Sequence, residues 1–186
     1  MMTTPSISGG RSDDALSMLR ACHERIRKEL ATLDRLRLHV PENGCDEDAR
    51  TMARDLLGYF DAAVPRHDAD EEQSLVPRLL ATSADGAAGL VDKLHAQHGE
   101  IAGLWRELRP DLAAIESGER SVLTPDLVRR TRATFLAHLD FEESQLFPFA
   151  AAHLDDATFQ VIAAEMAARR GGRITTKQGA GGAPSA

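Results

Sequence analysis

Two stretches of the chain carry the same pattern of potentially chemical residues, HDADEEQSLVP at 67–77 and HLDFEESQLFP at 138–148. They align without a gap, and histidine, both glutamates, leucine and proline fall at the same offsets. Residues at i and i+4 of a helix share a face, so His67 points with Glu71 and His138 with Glu142. His23 and His98 interrupt two further apolar stripes, which predicts that they project into the same interior. Four imidazoles and two carboxylates in a core need compensation, because removing charge from water without a partner is strongly unfavourable. A metal supplies it by binding the anions and the neutral ring nitrogens together. Mixed nitrogen and oxygen donors suit iron or manganese better than a thiolate-rich zinc or copper site would. Each carboxylate can bridge two metals, with two histidines on each, which predicts a dinuclear centre.

Long helices must position these groups. Apolar stripes run Leu16, Leu19, His23, Ile26, Leu30, Leu33 to Val40, and Val91, Leu94, His98, Ile101, Trp105, Leu108, Leu112, Ile115. Both step by three and four, the seam of nearly antiparallel packed helices. Two more read Leu56, Phe60, Val64, His67, Glu71, Leu75 and Phe135, His138, Glu142, Leu146, Phe149. Turn signals at 41–48, 82–86, 117–125 and 153–156 separate them. Ser12 can cap the first helix, and Thr124-Pro125 suits the start of the fourth. A short last helix, about 156–170, starts after Asp155 and stops at Gly171-Gly172. The sum is an all-α, up-down-up-down four-helix bundle with a short C-terminal helix. His23, Ile26 and Leu33 align with His98, Ile101 and Leu108, so the bundle reads as two similar hairpins, roughly 12–82 and 87–152. Ferritin-like di-metal bundles use Glu-x-x-His, and no histidine here has glutamate three residues before it.

Composition narrows the function classes. The chain has 186 residues, a length that fits one domain. Lys+Arg number 22 and Asp+Glu 29, a net charge of −7 that argues against a nucleic-acid surface. Two cysteines, Cys22 and Cys45, cannot form a disulfide scaffold. No apolar run approaches a membrane span, and residues 1–14 lack the pattern of a signal peptide, so a cytoplasmic address is expected. Residues 1–11 and the glycine-rich tail 171–186 are expected to be disordered, with a single domain at 12–170.

At this point the chain resembles the hemerythrin-like proteins of the HHE cation-binding family. The resemblance rests on His23, the His67…Glu71-Glu72 motif, His98 and the His138…Glu142-Glu143 motif, each motif closing with leucine-x-proline. It implies a four-helix bundle holding two iron ions in a non-haem di-iron centre bridged by two glutamates. Carried over residue by residue, the ligands are His23, His67, Glu71, His98, His138 and Glu142. Water, hydroxide or an oxo bridge is expected to complete the coordination. The oxygen carriers of the wider family have five histidines, with His-x-x-x-His on the third helix and His-x-x-x-x-Asp on the fourth. This chain has His95 and His98 on the third and His138 with Glu142 on the fourth, which argues against plain oxygen storage. The resemblance implies handling of oxygen, nitric oxide or peroxide in sensing, stress response or iron homeostasis. The competing class is a di-iron enzyme, peroxidase- or catalase-like, or an iron donor for iron–sulfur cluster repair.

Other residues carry plainer expectations. His95 lies one step off its stripe and reads as flanking, with ligation or support of a ligand as the alternative. His39 and His153 sit near helix ends and read as solvated. Glu24, Glu72 and Glu143 read as surface carboxylates. Pro65 is expected to kink its helix, and Pro77 and Pro148 to bend or end theirs. Cys22, Trp105 and Phe135 read as packing residues, as does Tyr59, for which a redox relay is the alternative.

Overall fold

The computed structural model describes residues 13–119 and 122–171. Ser12, the segment 1–11 and the tail beyond Gly171 lie outside the described residues. The elements are α1 (Asp13–Asn43), α2 (Glu47–Asp70), a π-helical turn (Glu71–Leu75), α3 (Val76–Ala81), α4 (Ala87–Glu116), α5 (Pro125–Phe141), a second π-helical turn (Glu142–Leu146), α6 (Phe147–His153) and α7 (Asp156–Arg169). Each π-turn joins the helices before and after it into one rod, so the described residues form four long rods and one short helix. Rods α1 and α4 each pack against α2 and α5, while α7 lies against α1 and α2. This is the all-α bundle that the stripes predict.

Local chemistry sets the boundaries. Asp46 caps α2 by accepting from the Ala49 amide, and Asp155 caps α7 by accepting from the Thr158 amide. Thr124 precedes α5, but its side chain makes no capping bond; Pro125 alone starts that helix. The turn expected from Pro41 comes later, because α1 continues to Asn43. Gly44, at φ 71°, closes the helix by donating to the Val40 carbonyl at 2.8 Å. Likewise α2 runs through Pro65 and continues to Asp70.

The two π-turns are a departure from the sequence reading. Pro77 and Pro148 do not end their rods; each sits in the first turn of a short helix that follows a π-turn. The Val76 amide donates to the Glu71 carbonyl and the Phe147 amide to the Glu142 carbonyl, five residues back. An extra residue in the turn eases the clash of a proline ring with the carbonyl four residues earlier. It also corrects a drift. His67, Glu71, Leu75 and Leu79 are all buried. Three four-residue steps in a regular α-helix would carry the last side chain about 120° off the first. The wider turn keeps all four facing inward.

The core divides into two apolar clusters. One contains Ile26, Leu30, Val64, Ile101, Phe135 and Leu139; the other contains Leu19, Leu75, Leu94, Leu146, Phe147 and Phe159. Along every long rod the histidine or glutamate of interest falls between a member of one cluster and a member of the other. The polar side chains therefore form a slab sealed by hydrocarbon above and below.

Candidate metal centre

His23, His67, Glu71 and Glu142 bring one donor atom each within 4.8 Å of one another, and so do Glu71, His98, His138 and Glu142. All six residues named from the sequence thus meet in two quartets that share both glutamates. The distances divide the carboxylate oxygens between the quartets. Glu71 Oε1 lies 3.8 Å from His67 Nε2, and Glu71 Oε2 lies 3.3 Å from His98 Nε2. Glu142 Oε2 lies 2.8 Å from His23 Nε2 and 3.8 Å from His67 Nε2, while Oε1 lies 2.7 Å from His138 Nε2. Each quartet holds one edge-to-face pair of imidazoles, His23 with His67 at 5.0 Å and His98 with His138 at 4.9 Å between ring centres. His23 also stacks on Phe147 at 5.3 Å, which fixes its ring plane.

Protein groups alone leave this slab electrostatically unsatisfied. Both oxygens of Glu71 and of Glu142, and Nε2 of His23, His67 and His98, are buried without a hydrogen-bond partner. Such orphans are rare in folded proteins, and a shared cation is one way to satisfy them together. Burial and the neighbouring Glu142 push the Glu71 carboxyl well above the usual carboxylate range. Burial acts on Glu142 in the same direction, but the His138 and His23 imidazoles outweigh it and hold that carboxyl low. Burial drives His67 down to about 3. His67 is accordingly neutral near pH 7, the form a metal requires.

A second ring of contacts orients the histidines, and it corrects the reading of Glu72 and Glu143 as surface carboxylates. His98 Nδ1 donates to Glu72 Oε1 at 2.8 Å, and His23 Nδ1 donates to Glu143 Oε1 at 2.7 Å. These bonds cross between the hairpins: Glu72 belongs to the first and His98 to the second, while Glu143 belongs to the second and His23 to the first. Carboxylates placed behind histidine in this way fix the tautomer and turn Nε2 toward the centre. Arg27 clamps Glu143 with bonds of 3.1 and 2.9 Å, and His95 donates to Glu72 at 2.7 Å. Gln97 Oε1 accepts from His138 Nδ1 at 3.2 Å. The doubled glutamate in both motifs was the available sign, since a residue beside an inward glutamate turns to the rim where the next rod begins.

The remaining expectations divide. His95 stays outside both quartets and supports Glu72. Glu24 is exposed and paired with Arg27, as a surface carboxylate would be. His39 bonds the capping Asp46 at 2.8 Å, and His153 donates to the Phe149 carbonyl. Phe135 is core, but Trp105 is only half-buried and donates to Asp61 at 3.0 Å. Tyr59 packs at the core's edge, where burial raises its hydroxyl to about 12.

Comparison with known proteins agrees with this geometry. An "Uncharacterized protein" of Haemophilus influenzae is 25% identical over 158 residues, covering 85% of this chain and 91% of that protein. Residues 14–150, which contain every helix that contributes to the two quartets, match the hemerythrin HHE cation binding domain. The chain therefore belongs to the hemerythrin HHE cation-binding family.

Proposed function

We propose that the chain is a cytoplasmic non-haem di-iron protein that handles oxygen, nitric oxide or peroxide in sensing, stress response or iron homeostasis. One observation carries the reading: two quartets of two nitrogens and two oxygens share both of their carboxylates. In it His23 and His67 would hold one ion and His98 and His138 the other, with Glu71 and Glu142 available to both. Iron bound there would supply redox change and exchangeable coordination positions. The chain's own part is selection and protection. Side chains of His23, Glu71 and Glu142 are fully buried, while that of His98 is 11% exposed. Of the six, His98 therefore stands nearest solvent, beside the more exposed Glu72 and His95.

Four protein ligands per ion leave room for an external one. Iron content of about two per chain, with optical bands that change on dithionite reduction, is the expected result for purified protein. Azide or nitric oxide should then shift the optical or paramagnetic spectrum at once. Iron-loaded protein that responds to neither has a closed site, and the small-ligand role fails. Sustained turnover of peroxide would instead move the chain to the enzyme class.

The neighbouring histidines of α4 give a sharper test. His98→Ala removes a donor from the second quartet and should lose much of the bound iron. His95→Ala loosens only Glu72 and should retain most of it. Metal analysis of the two variants beside wild type distinguishes them, and the reverse result would reverse the assignment.

A further inference from the structure

The first π-turn is gripped from outside by α7, whereas the second is met by α1, where Arg27 holds Glu143. Asp70, the last residue of α2, is fully buried and directly precedes Glu71. Arg169 Nη1 donates to its Oδ1 at 2.8 Å, and Arg170 Nη2 pairs with its Oδ2 at 2.6 Å. Arg169 Nη2 also donates to the buried Ser74 hydroxyl at 2.7 Å, inside the π-turn. Ser74 in turn donates to Glu165 Oε2 at 2.6 Å, and Arg78 braces Glu165 from the far side. In the second repeat Phe141 stands where Asp70 does, and Gln145 where Ser74 does. Phe141 is buried in the apolar cluster, so the position before the second turn is anchored by hydrocarbon where the first has a buried charge. The first turn is anchored by charge.

We propose that Arg169 and Arg170 are positioning residues of the metal centre, fixing through Asp70 and Ser74 the π-turn that presents Glu71. The inference rests on the reading that the six side chains hold metal. A buried carboxylate stripped of both arginines turns toward water to recover its solvation, and Glu71 is the next residue along the backbone. Glu71 serves both quartets, so its displacement weakens both. The appended helix is then part of the centre's frame although it contributes no ligand.

The test uses the full chain and iron(II) or manganese(II) as the probe. Arg169→Ala/Arg170→Ala should weaken metal binding by about tenfold or more, the range found for groups that support a ligand. In the metal-free form the Val76 amide, which closes the π-turn on the Glu71 carbonyl, should exchange its hydrogen about tenfold faster by local opening. Adding Asp70→Asn removes the carboxylate that drives the distortion and should restore both readings and the spectrum of loaded protein. Should the double variant fail to fold, Arg169→Lys keeps the charge but cannot reach Asp70 and Ser74 together, and the same two readings apply. Wild-type affinity, exchange and spectrum in the arginine variants overturn the assignment, and so does failure of Asp70→Asn to rescue. Wild-type protein that binds neither metal overturns the metal reading itself.

Discussion

Glu71→Gln and Glu142→Gln are expected to empty both metal positions while moving the stability of the metal-free protein in opposite directions. Each glutamate is shared by the two quartets, so an amide at either place removes an anionic donor from both ions at once. Metal content should fall from about two per chain toward zero in each variant, as befits loss of a ligand rather than of its support. The metal-free forms diverge because the two carboxyls sit differently. Burial and Glu142 raise Glu71 well above its ordinary range, so the folded state binds that proton more tightly than the unfolded chain. Its contribution to stability is present at low pH and is lost as pH rises above the unfolded value of about 4.3. Near pH 7 the carboxyl opposes folding, and Glu71→Gln should leave the melting temperature unchanged or raise it. Glu142 has His138 and His23 against its oxygens and is held low. Glu142→Gln should lower the metal-free melting temperature by several degrees, since a poorly satisfied buried polar group costs about 1–3 kcal/mol. Metal analysis and thermal melts in chelator check both halves. Parallel behaviour of the two variants would show that the inequivalence is wrong.

Chelation is expected to lower the melting temperature of wild-type protein by about 5–10 °C. Metal held at 100 times its dissociation constant stabilises by about 2.7 kcal/mol. A domain of this length shifts about 2–4 °C per kcal/mol. The effect should shrink with acid, because protons compete for the imidazoles and carboxylates that the metal needs. His67 adds its own slope. Its folded value, about 3, lies below the unfolded value of about 6.5, so the stability tied to its neutral form is lost as pH falls through that interval. Glu71 slopes the other way in the metal-free form and partly offsets it. Melts with and without chelator between pH 5 and 8 should therefore converge toward the acid end. A melting temperature indifferent to chelator at pH 7 would remove the metal from the account of this fold.

The bundle and the meeting of six side chains were legible because both depend on local periodicity. A histidine and a glutamate four apart share a face whatever surrounds them, and stripes broken once by histidine set the slab's level in each rod. What depends on register between rods was hidden. Glu72 and Glu143 could be assigned a role only once the histidines of the opposite hairpin stood beside them. The π-turns left a trace, two consecutive four-residue steps followed by proline, but proline alone suggested an end. Nothing near Asp70 announced that arginines a hundred residues later would bury it. Nor could the matching His-x-x-x-Glu-Glu motifs reveal that the fold shifts the Glu71 carboxyl up and the Glu142 carboxyl down. That difference comes from how closely each carboxylate meets its imidazoles.

The sharing of carboxylates between hairpins has a consequence for how the protein is made. Each quartet draws three donors from one hairpin and the fourth from the other, and the supporting carboxylates cross in the same way. The first hairpin leaves the ribosome with His23, His67 and Glu71 but without Glu142 or Glu143. At about 5–20 residues per second, several seconds pass before these follow. During that interval the nascent half can offer an ion only three donors and an unbuttressed His23, so it should capture metal weakly. Tight loading becomes possible only when the second hairpin has closed over the first. A metal held there would thus mark a completed chain, and chains truncated before the second motif should be recovered without metal.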